Sequence, residues 1–328
     1  MPILDGLDPA AQAAAADVLA AGGLVAFATE TVYGLGARAD DDAAVAAIFT
    51  AKGRPADHPL IVHVATLDDA QHFGDLSHPA ALRLAERFWP GPLTLIVPRR
   101  PGVGTAAAGG QGSIGLRMPS HPVARALLLA AAARGVRGVA APSANRFGRV
   151  SPTRASHVTD ELGPDLLVLD GGDCPLGIES AIVDCTRDKP ALLRPGMLDR
   201  TAIEAALGTA LQAAGPDAPR ASGTLEAHYA PQARLRLLDG PMLRSALEVL
   251  QGAPVPQGLA VYSRTVRQVP RGITLRAMPD DAGGVAHELF AVLRDFDLAG
   301  MRLIWVEAPP PGPQWDGVRD RLARAAAA

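Results

Sequence analysis

Lysine is almost absent from this chain of 328 residues, and cysteine and aromatic residues are scarce. Of the 31 Lys and Arg residues, only Lys52 and Lys189 are lysines. The two cysteines, Cys174 and Cys185, are too few for a disulfide framework or a four-cysteine zinc site. A net charge of −3 argues against a protein whose whole surface binds polyanions.

Long uncharged apolar runs are also missing. The most apolar window, VARALLLAAAARGVRGVAAP, contains Arg125, Arg134 and Arg137, which is too much charge for a membrane span. The first residues lack the basic start and apolar centre of a signal peptide. We therefore expect a cytoplasmic protein with no membrane partner.

Two common nucleotide-binding motifs are not found in usable form. The segment GGQGSIG has the G-x-G-x-x-G spacing at Gly110, Gly112 and Gly115. It follows a Gly/Ala-rich loop and leads into an extended run, whereas a dinucleotide fingerprint follows a strand and opens a helix. No P-loop motif occurs, so any phosphate site must be built differently.

Short apolar strands alternate with helices over the first 200 residues or so. Helices are predicted near 8–21, 41–51, 78–88 and 121–134, the first with Asp8 as N-cap and Pro9 at the first helical position. Strands are predicted in LVAFAT, PLIVHV, LTLIVP, SIGLRMP, GVAAPSAN, DLLVLDGG, SAIVDCT and ALLRPG. Strands outnumber helices, which predicts an α/β fold with a twisted mixed sheet and flanking helices.

The composition changes near residues 206–227, where Ala, Gly and Pro dominate and apolar periodicity fades. Strands and helices then resume in a shorter α/β pattern. The sequence predicts a first domain over 1–205, a linker over 206–233 that contains HYAP, and a small Rossmann-like domain over 234–328.

The segment FTAKGRPADHPLIVHV combines several charged residues with a strand. Lys52 and Arg54 could be charges at a helix end, and His63 could be a core histidine. Taken together, these residues favour a site for an anion. Pro55 is expected to end the helix and to leave Lys52 and Arg54 beside a strand end, where anionic ligands bind. A lysine kept in an arginine-rich chain suggests a role that needs an ammonium group.

Other polar blocks follow predicted strands. TETVYGLG is expected to be a glycine-containing turn, in which Thr31 and Tyr33 could offer hydroxyls and Gly34 and Gly36 could let a ligand approach. Arg117 in LRMPSH could pair with a carboxylate or lie on the surface. Other polar residues could likewise either contact a ligand or occupy an ordinary loop or surface position. They are Ser143, Asn145, Ser151, Thr153, Glu179, Ser180 and Arg194.

The polar inventory therefore consists of cations, hydroxyls and amides. We find no metal-ligand spacing and no obvious nucleophile with its base. Such an inventory favours positioning and charge stabilisation at phosphate.

The blocks TETVYGLG, KGRPADHPLIVHV, WPGPLT, GLRMPSHP, APSANRFGRVSPT, ESAIVD, LLRPG and HYAP, in this order, resemble the YrdC-like family of threonylcarbamoyl-AMP synthases in its two-domain form. The resemblance covers most of residues 15–231 and is looser beyond. It implies a nucleotidyltransferase that makes threonylcarbamoyl-AMP and pyrophosphate from L-threonine, bicarbonate and ATP with Mg²⁺. It also implies tRNA modification, with tRNA or a threonylcarbamoyl transferase complex as partner.

The resemblance also assigns roles to residues. Lys52 and Arg54 become the catalytic cations on the phosphate side, and no residue is assigned to a protein metal site. The implied ATP-binding residues are Lys52, Arg54, His58, Ser113, Asn145, Ser151, Thr153, Arg194 and Tyr229. The implied threonine-binding residues are Thr31, His63, Arg117, Ser143 and Ser180. His228 and Tyr229 of HYAP are implied to form a lid.

Ala181 is a departure from the family pattern, because many members have ESTIVD where this chain has ESAIVD. Two other functions stay open. One is a non-catalytic module that binds tRNA or double-stranded RNA. The other is a carbamoyltransferase that uses carbamoyl phosphate, although the zinc-finger and acylphosphatase-like segments of such relatives are missing here.

Overall fold

A computed structural model describes residues 3–328 and divides the chain into two compact units. The first contains the chain up to Phe147 together with Ser151–Thr224, and the second contains Gly148–Val150 and Leu225–Ala328. The division after Thr224 falls inside the segment predicted as a linker.

The first unit is built on one mixed sheet of eleven strands, in the order β1-β8-β2-β3-β7-β4-β6-β5-β9-β10-β11. The strands are β1 Ile3–Asp5, β2 Val25–Phe27, β3 Gly34–Arg38, β4 Ile61–His63, β5 Leu93–Pro98, β6 Ser113–Arg117, β7 Val139–Ala140, β8 Leu167–Asp170, β9 Ala181–Asp184, β10 Ala191–Arg194 and β11 Gln212–Ala213. The predicted mixed α/β fold is thus confirmed.

Seven α-helices of the first unit flank this sheet. They are α1 Pro9–Ala20, α2 Asp42–Lys52, α3 Leu67–Phe73, α4 Pro79–Phe88, α5 Pro122–Ala132, α6 Ala155–Leu162 and α7 Arg200–Leu207. The three short helices, α3, α6 and α7, have no counterpart among the predicted ones. Asp8 caps α1 by accepting a hydrogen bond from the Ala10 amide, and Pro9 begins the helix, as predicted.

Alternation along the strands sends neighbouring side chains to opposite faces of the sheet. Val25 and Phe27 pack in one apolar cluster with α1 and α5, whereas Ala26 belongs to a larger cluster that contains Ile48 of α2 and Leu84 of α4. Burial on both faces explains why the strands are continuously apolar rather than alternating.

Two local predictions near the polar blocks were wrong. Helix α2 ends because Gly53 adopts a left-handed conformation, with φ of 61°, two residues before Pro55. The second half of TETVYGLG is not a turn but the start of β3, which pairs antiparallel with β2. A Cβ at Gly36 would lie 2.7 Å from Val139 Cγ1, so close packing, and not a ligand, accounts for this glycine.

The second unit contains a four-stranded parallel sheet, in the order β12-β15-β13-β14. Its elements are β12 Arg234–Leu238, α8 Gly240–Gln251, β13 Leu259–Ser263, β14 Thr274–Ala277, α9 Ala282–Leu298, β15 Leu303–Glu307, a 3₁₀ turn at Pro313–Trp315 and α10 Asp316–Ala326. It is a parallel α/β unit, as predicted. Because β15 lies between β12 and β13, the order differs from that of dinucleotide-binding sheets.

None of the helices within residues 3–328 has the length and apolar character needed to cross a bilayer.

Candidate functional site

Strand register places five of the predicted residues on one face of the first sheet. His63 of β4 lies opposite Arg117 of β6, and Thr94 of β5 lies opposite Ile182 of β9. Arg194 of β10 is paired with that same Ile182. Since side chains alternate, Ser113 and Ser180 share this face with them. We call this surface the site face.

The floor of the site face is apolar. Ile61, Ile96 and Ile182 form a small buried cluster there, and Ala221 from the predicted linker packs against it. The space left between the strands and the segment around Ala221 is about 10 Å³. A larger cavity of about 530 Å³ lies at the ends of β1 and β8, but none of the predicted site residues lines it.

Arg117 is the centre of a cluster at one end of the site face. Its guanidinium forms a 2.6 Å ion pair with Glu30, and its Nη1 donates to Thr31 Oγ1 at 2.9 Å. All three residues are buried. Burial acts to raise the pKa of Glu30, but the charge and hydrogen bond of Arg117 outweigh it, so the pKa lies below its ordinary value. The cluster therefore contains an ionised, balanced pair.

The loop after β2 holds Thr31 in place. Thr29 Oγ1 donates to the Val32 carbonyl at 2.6 Å and accepts from the amides of Thr31 and Val32, both at 3.2 Å. Thr29 and Thr31 also share a hydroxyl contact of 2.9 Å. This compact turn presents the Thr31 hydroxyl to Arg117.

His63 lies beside this cluster as a neutral imidazole. It is 4% exposed, and its Nδ1 is buried without a hydrogen-bond partner. Burial, with a further contribution from the charge of Arg117, lowers the pKa of His63 to about 3. A buried ring nitrogen of this kind can bind a polar group of a ligand.

Tyr33 does not contribute its hydroxyl to the site face. Its Oη donates towards Asp170 Oδ1 at 2.8 Å and lies 2.9 Å from the Gly172 carbonyl, and the ring is fully buried. Burial raises the pKa of this phenol well above its ordinary value. Tyr33 is thus a structural link between the loop after β2 and the end of β8.

Lys52 is buried at the C-terminal end of α2. Its Nζ donates to the Ser143 and Asn145 carbonyls, each at 2.5 Å. Burial lowers its pKa well below the ordinary value, and the nearby positive charge of Arg54 acts in the same direction. A negative ligand beside Lys52 would favour its charged form.

Arg54 and Arg194 meet at the same residue of the predicted linker. Arg54 Nη2 donates to Ser222 Oγ at 3.2 Å, and Arg194 Nη1 donates to the Ser222 carbonyl at 2.8 Å. Arg54 also donates to the Pro59 carbonyl at 2.9 Å. Two cations converge here on oxygen atoms of a neutral residue.

Ser180 contacts two other residues of the site face. Arg194 Nη2 donates to Ser180 Oγ at 3.2 Å, and Ser180 Oγ lies 2.8 Å from Thr94 Oγ1. Ala181 points the other way, into the main apolar core of the first unit. A hydroxyl at position 181 would therefore face that core and not Arg194.

The loop over 143–153 contributes further polar groups. Asn145 Nδ2 donates to the Arg146 carbonyl at 2.7 Å, and Ser151 Oγ donates to Glu179 at 2.5 Å. The Thr153 side chain is buried, and its amide donates to His157. This loop is held to Lys52 at one end and to Glu179 near the other.

His58 and Ser113 lie at the edge of the site face, and both are half-buried. The His58 ring lies 5.3 Å from that of Phe147, which also lies 5.7 Å from the Arg54 guanidinium carbon. Burial and the charge of Arg54 lower the pKa of His58.

His228 and Tyr229 belong to the second unit and are buried there. The Tyr229 ring stacks on Phe290 at 5.5 Å and lies 5.3 Å from the Arg321 guanidinium carbon. The predicted ATP contact and lid role of these residues stay predictions.

The described residues contain no group of three or more His, Cys, Asp or Glu side chains that could hold a metal ion.

Comparison with known proteins gives the same assignment over nearly the whole chain. The Sua5, YciO and YrdC family model, described as "Telomere recombination", matches residues 17–196. A model described as "Threonylcarbamoyl-AMP synthase, C-terminal domain" matches 198–327. The chain belongs to the threonylcarbamoyl-AMP synthase family.

Two curated threonylcarbamoyl-AMP synthases illustrate the similarity. That of Pyrococcus abyssi is 37% identical over 323 residues, with 95% of this chain and 92% of the relative covered. That of Bacillus subtilis is 38% identical over 333 residues, with 96% and 92% covered. The family predicted from the motifs is confirmed.

A solved relative has the same fold as this family member. The crystal structure of P. abyssi Sua5 complexed with L-threonine matches with a TM-score of 0.85 at 35% identity, over 96% of this chain and 94% of that chain.

In this threonylcarbamoyl-AMP synthase family member, three residues that contact the candidate site were not predicted from the sequence. Glu30 pairs with Arg117, Thr94 touches Ser180, and Ser222 binds both arginines. Glu30 could have been found, because a carboxylate between two threonines directly after a buried strand is unusual. Thr94 and Ser222 carry no such signal, since only the register and the path of the linker bring them to the site face.

Proposed function

We propose that this chain is a threonylcarbamoyl-AMP synthase that acts as a nucleotidyltransferase. Threonine would bind in the cluster of Arg117, Thr31 and His63, with its carboxylate on Arg117. ATP would place its phosphates beside Lys52, Arg54 and Arg194. The contacts of Ser180 carry the proposal. Ser180 Oγ contacts Arg194 and Thr94, and the next residue of β5, Leu95, pairs with Leu116 beside Arg117, which links the two clusters across one face.

The reaction can be written with these groups. The threonine amine and bicarbonate give a carbamate and water, and a carbamate oxygen then attacks the α-phosphorus of ATP. A bond from that phosphorus to oxygen forms, the bond to the bridging oxygen breaks, and pyrophosphate leaves. Lys52, Arg54 and Arg194 would stabilise the charge that develops on phosphate oxygens. Mg²⁺ is proposed to arrive on the phosphates of ATP.

The low pKa of His63 limits its role. An imidazole with a pKa of about 3 is a weak base at neutral pH, so we assign it to holding the amino group rather than removing its proton. The Glu30 carboxylate keeps Arg117 balanced until the threonine carboxylate arrives.

Water must be kept away, because a carbamate and a mixed anhydride both decompose in it. The segment Arg220–Ser222 covers the apolar floor and leaves a space of only about 10 Å³ beneath it. We propose that it moves to admit ATP and then closes again.

The product is a reactive mixed anhydride, so a transferase must consume it. We propose that this partner is a threonylcarbamoyl transferase complex that modifies tRNA in the cytoplasm. Salt-dependent binding of tRNA by the chain alone would instead indicate an RNA-binding surface on this protein.

The deciding experiment measures pyrophosphate release from ATP, Mg²⁺ and bicarbonate, with and without L-threonine. We expect release that requires threonine and fails with glycine or serine. Release without threonine would mean that the acceptor is wrongly assigned. Absence of release from folded protein that binds ATP would contradict the synthase proposal.

A further inference from the structure

The loop that contains Asn145 and Ser151 is shared between the two units. Its residues up to Phe147 belong to the first unit, Gly148–Val150 belong to the second, and Ser151 returns to the first. The Phe147 amide donates to the Lys52 carbonyl at 2.8 Å. The last residue of the loop before Gly148 is therefore fixed beside a proposed catalytic cation.

Within the second unit, Gly148–Val150 are held by backbone contacts. The Ala230 amide of HYAP donates to the Gly148 carbonyl at 2.9 Å, and Arg149 forms a parallel bridge with Ala230. The Val150 carbonyl accepts a hydrogen bond from Arg294 of α9. Each of the three residues therefore has its own attachment in this unit.

Asp297, also on α9, contacts Arg149 and the two residues that follow HYAP. Its carboxylate accepts hydrogen bonds from the amides of Gln232 at 2.7 Å and Ala233 at 2.9 Å, directly after HYAP. Its Oδ2 also lies 3.8 Å from Arg149 Nη2, and the side chain is 9% exposed. One buried carboxylate thus binds the chain on both sides of the contact between Ala230 and Gly148.

The backbone of HYAP is itself strained, which makes these attachments important. Tyr229 has φ of 61°, and it is the one non-glycine residue with positive φ among residues 3–328. Such a conformation costs about 1–3 kcal/mol and persists where the surroundings fix it. The stacking on Phe290 and the two hydrogen bonds to Asp297 supply that support.

We propose that Asp297 is a positioning residue for the nucleotide site. By fixing residues 148–150 against HYAP, it sets the path of the loop that presents Asn145 and Ser151, although it touches no proposed substrate position itself. The inference rests on the proposed function. It gives the second unit a role in catalysis, because displacing catalytic groups by about 1 Å can slow an enzyme about 100-fold.

The test compares Asp297→Asn with Asp295→Asn, a change at an exposed residue of the same helix. An asparagine oxygen can accept one of the two amide hydrogen bonds, but its NH₂ group cannot accept the other, and the charge facing Arg149 is lost. We expect Asp297→Asn to raise KM for ATP at least 10-fold and change KM for threonine less than twofold. Asp295→Asn should change neither, and Asp297→Glu should restore part of the ATP affinity.

Hydrogen exchange adds a readout independent of turnover. The amides of residues 145–151 should exchange faster in Asp297→Asn than in wild type, at an unchanged circular dichroism spectrum. If Asp297→Asn does not fold, Arg149→Met removes the ion pair while leaving the Asp297 carboxylate in place, and it should shift KM for ATP in the same direction by a smaller factor.

Three results would overturn the proposal: an unchanged KM for ATP in a folded Asp297→Asn, equal changes in both KM values, or an unaltered Arg149→Met. Failure of the proposed function is a separate outcome, because wild type would then release no pyrophosphate in response to threonine.

Discussion

The two ends of the site face balance their positive charge in different ways. At one end, Arg117 is paired with the buried carboxylate of Glu30 at 2.6 Å. At the other end, Lys52 donates to two backbone carbonyls, and Arg54 and Arg194 both bind the neutral residue Ser222.

This difference matches the ligands proposed for each end. An internally balanced cluster suits an amino acid, which carries one positive and one negative group. At the other end, three cations come close together, which suits the several negative charges of a triphosphate. The contrast is physical and can be tested at each end separately.

Removing the balancing charge at the amino-acid end should have the largest effect. Glu30→Gln leaves Arg117 buried without its counter-charge, which costs about 3–5 kcal/mol in a buried pair. We expect this loss in the free energy of unfolding measured by chemical denaturation.

The control is Asp17→Asn, which breaks an ion pair with Arg134 in which the aspartate side chain is 68% exposed. Exposed pairs contribute about 0–1 kcal/mol. If both variants lost the same stability, the buried pair would not be the special feature we describe.

At the nucleotide end, Lys52→Ala should reduce turnover by about 100- to 1000-fold, the range found when one transition-state donor is removed. The chain's other lysine gives a matched control, because Lys189 is exposed and Lys189→Ala should leave the rate unchanged. Lys52→Arg should not restore activity, since a planar guanidinium cannot replace the ammonium between two carbonyls. A near-normal rate in Lys52→Ala would remove this residue from the mechanism.

His63 should make the protein less stable as the pH falls. Its pKa is about 3 when folded and near 6.5 in the unfolded chain, so the unfolded state binds a proton first between these values. Stability should therefore decline as the pH drops from 6.5 towards 3, by up to about 1.4 kcal/mol per pH unit from this residue.

His63→Asn should flatten that part of the profile, whereas His72→Asn, at a half-exposed position on α3, should not. Denaturation curves collected between pH 4 and pH 7 provide the comparison. Parallel profiles for wild type and His63→Asn would show that folding does not change the pKa of His63.

The smallest effect concerns the segment that covers the nucleotide end. Arg220 pairs with Asp57 at 2.8 Å, and both side chains are more than half exposed. Arg220→Ala should loosen the segment by less than about 1 kcal/mol and thus change KM for ATP less than fivefold, towards tighter binding. The control is Arg271→Ala, a change at an exposed position of the second unit, which should leave KM for ATP unchanged. Weaker ATP binding in Arg220→Ala would mean that Arg220 contacts the nucleotide.

Much of the fold followed from the pattern of residues. The longer helices were predicted because caps and glycine or proline signals mark their ends, as at Asp8 and Pro9. The three short helices were missed because seven or eight residues give little periodicity. The strand β3 was missed because Gly34 and Gly36 suggested a turn, whereas packing against Val139 and Phe27 leaves no room for a Cβ at Gly36.

The sequence indicated individual candidate site residues, but it did not indicate the ion pairs and hydrogen bonds between them. Sequence motifs singled out Arg117, Lys52 and Arg194, while the pairing of Arg117 with Glu30 and the meeting of two arginines at Ser222 depend on distant parts of the chain. The assignment of Tyr33 as a possible ligand contact failed for the same reason, because Asp170 takes its hydroxyl.

By itself, the sequence determined the family, the α/β class and the kinds of groups available for chemistry, since these depend on residue types and local spacing. Only the tertiary structure decided which cation is balanced by a carboxylate, which face of each strand bears the site, and that Gly148–Val150 belong to the second unit. Those properties arise from strand register and long-range contacts, which no local pattern of residues contains.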